Sequence, residues 1–124
     1  MAFTATSEIT ALGSKLVVNL SCTSTRSDHV TSNTSGSFYL VEVDNTANAT
    51  TFAYLRIKDA VNAINTSDLI PTWMFVGPPG TKTCYAFPDG QEYSAGLTFW
   101  CTTSTAKQNT TDPTNAVIVR IVAS

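Results

Sequence analysis

The sequence predicts an all-β chain that folds as a single antiparallel β-sandwich of jelly-roll type with roughly eight strands. Short runs rich in β-branched and aromatic residues recur at about 10–15-residue spacing, with turn-forming residues between them. Ser and Thr are abundant and mostly interleaved with apolar residues, which favours strands over helices. With 124 residues, the chain forms one domain and can bury a core without a metal ion or disulfides.

The amino-terminal part divides into an arm, a strand and a polar loop. Residues 1–13 are weakly patterned and predict an arm or a short edge strand, whereas residues 14–124 form the sandwich domain. Residues 15–22 carry β-branched residues at their centre and predict a strand. Residues 23–37 have a loop-like composition. Because a loop of this length is usually functional or flexible, it is a candidate for partner contact.

The next strand spans residues 37–44 and alternates between two faces. Tyr39, Val41 and Val43 share one face, which we expect to point into the core. Residues 45–50 are rich in Asn, Ala and Thr and predict a turn.

Residues 51–59 predict a half-exposed antiparallel strand. Leu55 and Ile57 alternate with Arg56 and Lys58, and the two basic residues are expected on a solvated face. Residues 60–70 show weak helical spacing, but a loop is about equally expected there because Asn and Thr compete with the backbone.

The carboxy-terminal half predicts four further strands and a sharp corner. The strands are residues 71–76, 82–87, 97–103 and 115–122. Between the second and third of these, Pro88-Asp89-Gly90 predicts the corner of a hairpin, because Pro fixes φ, Asp bonds its own backbone and Gly accepts positive φ. Four side chains around this hairpin are expected to hold the two sheets together: Phe87, Tyr93, Leu97 and Phe99.

Composition argues against several classes of function. Charged residues make up only 13 %, against roughly 25 % in typical domains, which suits a protein packed against neighbours. The formal net charge is −2 and the seven basic residues are scattered, whereas a nucleic-acid binder needs clustered Lys and Arg. The sequence predicts neither a signal peptide nor a membrane span.

The cysteines and the single histidine do not form a metal-site pattern. Cys22, Cys84 and Cys101 are widely spaced, and no C-x₂-C motif accompanies His29, so neither a metal nor a cofactor is predicted. All three cysteines are expected to be small buried hydrophobes with reduced thiols. A bridge between Cys84 and Cys101 remains an open alternative.

Three patterns imitate functional motifs. Residues 77–83 resemble a phosphate-binding loop, but Thr81 precedes Lys82 where that loop needs Gly, and a strand follows instead of a helix. Glu42 and Asp44 share one strand face and match a glycosidase pair on spacing alone, but a strand-ending turn is favoured. A sugar-stacking platform is the third pattern, although aromatics in strands are more often core or interface residues. It would consist of Trp73, Tyr93 and Trp100.

The order of short motifs resembles a family of small virion structural proteins of tailed bacteriophages, common in cyanophage-like and marine phages. Its members resemble capsid decoration, or cement, proteins. The resemblance covers roughly residues 36–122. The matching segments are Asp44–Thr46, Ala53–Ala60, Tyr85–Gly90, Ser94–Leu97, Cys101–Thr103 and Thr111–Val117.

This resemblance implies a non-enzymatic sandwich on the outside of an icosahedral head, assembled in the host cytoplasm, that bridges neighbouring major capsid proteins. It favours a homotrimer without nucleic acid, membrane or cofactor. Alternatives are another virion position (neck, tail or head fibre), a carbohydrate-binding module, and a glycosidase. Partner contact is expected in the arm and the long loop, with the Pro88–Gly90 hairpin as a rigid centre. The contact residues are Phe3, Ile9, Leu12, Arg26, Asp28 and His29.

Overall fold

The computed structural model describes residues 15–24, 28–29, 35–60, 70–106 and 111–124, which consist of strands and turns without a helix. Seven strands of five to twelve residues and one two-residue strand form two antiparallel sheets. The all-β prediction is therefore confirmed. In chain order the strands are β1 (Lys15–Cys22), β2 (Asp28–His29), β3 (Gly36–Asp44), β4 (Ala53–Asp59), β5 (Trp73–Gly77), β6 (Lys82–Tyr93), β7 (Leu97–Thr102) and β8 (Val117–Ala123).

Each sheet has four strands. Sheet A has the order β1-β8-β3-β6 and sheet B the order β2-β7-β4-β5. The predicted strand at residues 15–22 is confirmed residue for residue. The later predicted strands begin and end within two residues of the observed ones, except that the strand predicted at 82–87 continues to Tyr93. The predicted arm lies outside the described residues, and so do residues 61–69 of the segment 60–70 predicted as a helix or loop.

The core lies where the inward faces of the two sheets meet. Strand β8 alternates perfectly: Val117, Val119, Ile121 and Ala123 are buried and the residues between them are not. Such alternation is typical of an antiparallel sheet with one covered face. Sheet B contributes Leu55 and Ile57 from β4, and Leu97 and Phe99 from β7. Aromatic side chains pack edge to face in part of the core. The ring centroid of Phe38 lies 5.1 Å from that of Trp73 and 5.3 Å from that of Phe87.

The Pro88-Asp89-Gly90 corner is not a hairpin turn. Strand β6 runs through it from Lys82 to Tyr93, and both halves pair with the same neighbour, β3. Ala86 is opposite Leu40 and Gln91 is opposite Phe38, so the four residues 87–90 stand opposite the single residue Tyr39. The prediction of a hairpin is therefore wrong. The same turn chemistry instead forms a bulge of four residues against one within one long strand.

The bulge also changes which face of β3 is buried. Tyr39 is an extra residue relative to β8, where Phe38 pairs with Ala123 and Leu40 with Val122. The inward set is consequently Phe38, Val41 and Val43, and Tyr39 is only partly buried. The prediction that Tyr39 faces the core is wrong because one inserted residue reverses the alternation on one side of a bulge.

A network of asparagines joins three loops at one end of the sandwich. Asn45 Nδ2 donates to Thr51 O (2.8 Å) and Gly77 O (2.9 Å). Asn48 Nδ2 donates to Asn45 Oδ1 (2.8 Å), while Asn48 Oδ1 accepts from the Asn115 N–H (2.9 Å). Asn45 and Asn48 are buried. Because an amide side chain can both donate and accept, these residues satisfy backbone groups that the loops would otherwise leave unpaired.

Asp59 fixes the connection between β6 and β7. Its carboxylate accepts from the backbone N–H groups of Ser94 (2.9 Å), Ala95 (2.8 Å) and Gly96 (3.2 Å). Burial raises the pKa of Asp59, but the hydrogen bonds from these three amides outweigh burial and hold that pKa below its ordinary value.

Gly90 should tolerate substitution less well than Gly80. Both have positive φ (80° and 66°), but a Cβ at residue 90 would lie 2.9 Å from atoms of Ser37 and Tyr39, whereas at residue 80 the nearest atom is 3.9 Å away. We expect Gly80→Ala to cost about 1 kcal/mol from backbone strain and Gly90→Ala about 2–4 kcal/mol, since steric overlap adds to strain. Urea unfolding measures both, and equal costs would contradict a bulge packed against β3.

Asp59→Asn should reduce the acid sensitivity of the fold. Because the folded-state pKa is depressed, the carboxylate stabilises the fold above the unfolded-state pKa of about 3.9, and that stabilisation is lost as pH falls through the folded value. The variant should be less stable than the parent at pH 7, and the difference should shrink towards pH 3. Urea unfolding at both pH values tests this, with the exposed Glu92→Gln as control. A pH-independent difference would contradict the assigned role.

Candidate interaction surface

The two strand carboxylates that could have formed a glycosidase pair are held in structural contacts. Glu42 pairs with the Arg120 guanidinium. Asp44 accepts from Thr46 Oγ1 at 2.6 Å, and this hydrogen bond lowers the pKa of Asp44. A general acid needs a raised pKa. Asp44 therefore serves the strand-ending turn that the sequence favoured.

The aromatic residues of the hypothetical sugar platform are mostly inside the protein. Tyr93 is buried and donates to Ser124 O (2.8 Å), and Trp73 packs on Phe38. Trp100 is 1 % exposed. A stacking platform needs accessible ring faces, which the buried Tyr93 and Trp100 do not offer.

Arg56 corrects the prediction of a solvated face on β4. It does point to the outer side of sheet B, opposite Trp100 of β7, yet it is 0 % exposed. Its Nε donates to Thr102 Oγ1 (2.9 Å) and its Nη2 donates to the carbonyls of Ser104 and Ala106 (both 2.6 Å). Burial lowers the pKa of Arg56, and these acceptors take the place of water around the guanidinium. Arg56 thus fastens the segment after β7 over sheet B.

The sequence-predicted contact residues are only partly covered by the structure. Asp28 and His29 form β2, the edge strand of sheet B, where they pair with Phe99 and Thr98 of β7. The other four lie outside the described residues: Phe3, Ile9, Leu12 and Arg26. The structure therefore brings together only the backbones of Asp28 and His29.

The outer face of sheet A carries three of the five exposed large apolar side chains of the described residues. On the edge strand β1, Leu16, Val18 and Leu20 point outward and are 66 %, 45 % and 66 % exposed. Val17, on the opposite face, packs against the core. Strand β1 therefore turns its more apolar face to solvent, the reverse of the usual arrangement in a sandwich.

An apolar row extends from β1 across the whole sheet. Leu16 pairs with Val122, Val122 with Leu40, and Leu40 with Ala86, so one aligned row crosses all four strands. Side chains opposite one another on the same face lie about 5 Å apart and form a continuous surface. Next to the row is a shallow depression of about 260 Å³, lined by Tyr39, Leu40, Ala86, Pro88 and Val122.

Two ion pairs lie beside the apolar row. The next aligned row is Val18, Arg120, Glu42 and Cys84, and the one after it places Ile118, Asp44 and Lys82 in line. Arg120 pairs with Glu42, and Lys82 Nζ lies 3.9 Å from Asp44. We call these three rows, together with Leu20, the outer patch. Its four charged side chains sum to zero, so the patch combines exposed apolar area with internally compensated charge.

Sequence reasoning missed the outer patch because the available signal points the wrong way. Residues 15–22 do alternate, but hydrophobicity alone would turn Leu16, Val18 and Leu20 inward. The pairing of Val17 with Ile121, a core residue, decides the opposite orientation. That pairing joins the two ends of the chain and has no local signature.

None of the three cysteines forms a disulfide, so no Cys84–Cys101 bridge is present. Cys22 and Cys101 are buried as expected, but Cys84 is exposed at the edge of the outer patch. Its Sγ donates to Glu42 Oε2 at 3.6 Å. Burial, this hydrogen bond and the Glu42 charge all raise the pKa of the Cys84 thiol.

Comparisons with protein-family models, curated proteins and solved structures gave no match for this chain. Among the described residues, no three His, Cys, Asp or Glu side chains cluster to hold a metal ion. Nor does the described part of the chain include a helix with the length and hydropathy for a membrane crossing.

Cys84 should be the one thiol that reacts in the native protein, and it should react slowly at pH 7. Its raised pKa keeps the thiolate fraction small, and the thiolate is the reactive form. Glu42→Gln removes the charge that raises this pKa and should accelerate alkylation, whereas Glu92→Gln on the same strand should not. Alkylation rates followed by mass spectrometry measure the difference. An unchanged rate in Glu42→Gln would rule out the coupling.

Proposed function

We propose that this chain is a non-enzymatic structural protein of a tailed-phage virion that binds the outside of the assembled head and stabilises contacts between major capsid proteins. The observation that carries the structural-subunit part of the proposal is the outer patch, an exposed and largely apolar sheet face on a small sandwich. Exposed apolar patches of this kind are typical of protein interaction sites. The family resemblance supplies the virion context.

We further propose that the sandwich is a jelly roll, the fold named from the sequence. Four antiparallel pairs support it: β1 with β8, β2 with β7, β3 with β6 and β4 with β5. These are the pairs made when one long hairpin is folded at the β4–β5 connection. The two remaining ladders, β3 with β8 and β4 with β7, join alternate pairs into sheets A and B. Jelly rolls are frequent among viral capsid and lectin domains.

The stabilising mechanism follows from linkage. A protein that binds the assembled shell but not separated shell subunits lowers the free energy of the assembled state by its binding free energy. Repetition over the head lattice adds avidity, because an oligomer that bridges several shell subunits rebinds before it diffuses away. A modest affinity at each site is therefore sufficient to oppose the pressure of packaged DNA.

Contact with the shell is proposed for the arm and the long loop. The residues are those named from the sequence: Phe3, Ile9, Leu12, Arg26, Asp28 and His29. This division leaves the outer patch available for a second interface, and the homotrimer favoured by the resemblance is one arrangement that such an interface could serve. A neck, tail or head-fibre position differs from this proposal in copy number.

Heads stripped of the protein should lose DNA at lower temperature and under milder osmotic shock than intact heads, and purified protein added back should restore resistance. Copy number per virion, measured by quantitative mass spectrometry, should be on the order of hundreds, whereas a neck ring holds about a dozen. The arm variant Phe3→Ser/Ile9→Ser/Leu12→Ser should fail to restore resistance, while Ile70→Ser, which changes an exposed residue outside the predicted contacts, should succeed. Stripped heads as robust as intact ones would overturn the stabilising role.

A further inference from the structure

The inverted orientation of β1 is the observation that favours a partner. A strand in a sandwich normally turns its apolar side chains inward, because exposing a Leu forgoes the free energy of its burial. Leu16 and Leu20 are nevertheless 66 % exposed at the edge of sheet A. An apolar edge strand of eight residues is also the kind of strand that associates with other chains unless it is covered.

The outer patch is large enough for a specific interface. Four strands at about 4.8 Å spacing, and three aligned rows two residues apart, span roughly 20 Å in each direction. Two such patches pressed together bury on the order of 1,000 Å² of accessible surface, which is the lower bound expected of a specific protein–protein interface.

The charges of the patch favour a neutral partner face. Glu42 is already paired with Arg120, and Asp44 with Lys82, so the patch gains little from a charged partner. A partner that brings unpaired charges would lose their hydration without compensation. The same patch on a second copy is apolar, neutral and internally paired in the same way, and it therefore avoids this cost.

We infer that the outer patch is a self-association surface, on which two copies of this chain pack sheet A against sheet A about a two-fold axis. Packed sheets in sandwiches lie about 10 Å apart, with side chains from the two faces interdigitating. In such an isologous contact the patch of one subunit is buried by the same patch of the other subunit. Both patches are then used, so the assembly closes at two subunits. This contact gives a dimer instead of the trimer that the resemblance favours, and it does not depend on the proposed function.

The test is the mass of the full chain in solution. Sedimentation equilibrium of the purified protein at micromolar concentration should give a dimer. Leu16→Ser/Leu20→Ser should weaken dimerisation by at least about a thousandfold, because the two-fold axis repeats both substitutions and four leucines, each 66 % exposed in the single chain, lose their burial. The matched control is Ile70→Ser, which makes the same kind of apolar-to-Ser change at a side chain that is 50 % exposed but lies outside sheet A. It should leave the dimer unchanged, and circular dichroism should show all variants folded.

Cys84 provides a second measurement, because it lies within the outer patch. Its alkylation should slow as protein concentration rises through the dimerisation range, and the double variant should lose this protection. A parent protein that is monomeric throughout, a trimer, or a dimer unaffected by the double substitution would each overturn the inference. If the parent is monomeric but Leu16→Ser/Leu20→Ser fails to bind stripped heads, the patch is a shell contact and the proposed function survives. If the parent protein is a dimer but does not bind stripped heads, the inference survives and the proposed function is contradicted.

Discussion

The bulge where β6 passes β3 is the constraint on which the rest of sheet A depends. It lets one twelve-residue strand keep pairing with β3 on both sides of Pro88–Gly90. Because Tyr39 is left over at this point, Phe38 joins Val41 and Val43 on the inward face. Phe38 then anchors the aromatic cluster between the sheets. Without the bulge, Phe38 would point to solvent and the core would lose its largest contribution from β3.

Local pattern determined much of the fold, and long-range pairing determined the remainder. The strands at residues 15–22 and 115–122 were predictable because β-branched residues and turn chemistry are local signals. The Pro88-Asp89-Gly90 signal was also real, since Gly90 does have positive φ. Its interpretation failed because the same three residues suit a hairpin and a bulge, and only the partner strand distinguishes them. Here both flanks meet β3.

Burial of the outer faces was the least predictable property. Alternation correctly placed Arg56 opposite the core-facing Leu55 and Ile57, but not beneath the segment after β7, whose Ser104 and Ala106 carbonyls receive its guanidinium. Alternation assigns faces and cannot tell which face another part of the chain will cover. The outer patch is the converse case: Leu16, Val18 and Leu20 look like core residues, and the described chain leaves them exposed.

The two outer faces therefore represent two ways of completing a sandwich. Sheet B covers a polar and aromatic outer layer with its own chain, and Arg56 supplies the hydrogen bonds that hold the cover. Sheet A keeps its charges paired on the surface and leaves apolar area beside them. Burying that area against another protein gains hydrophobic free energy without the cost of desolvating unpaired charge. The exposed apolar area of sheet A is therefore the part of the described surface whose burial against another protein would stabilise this fold most.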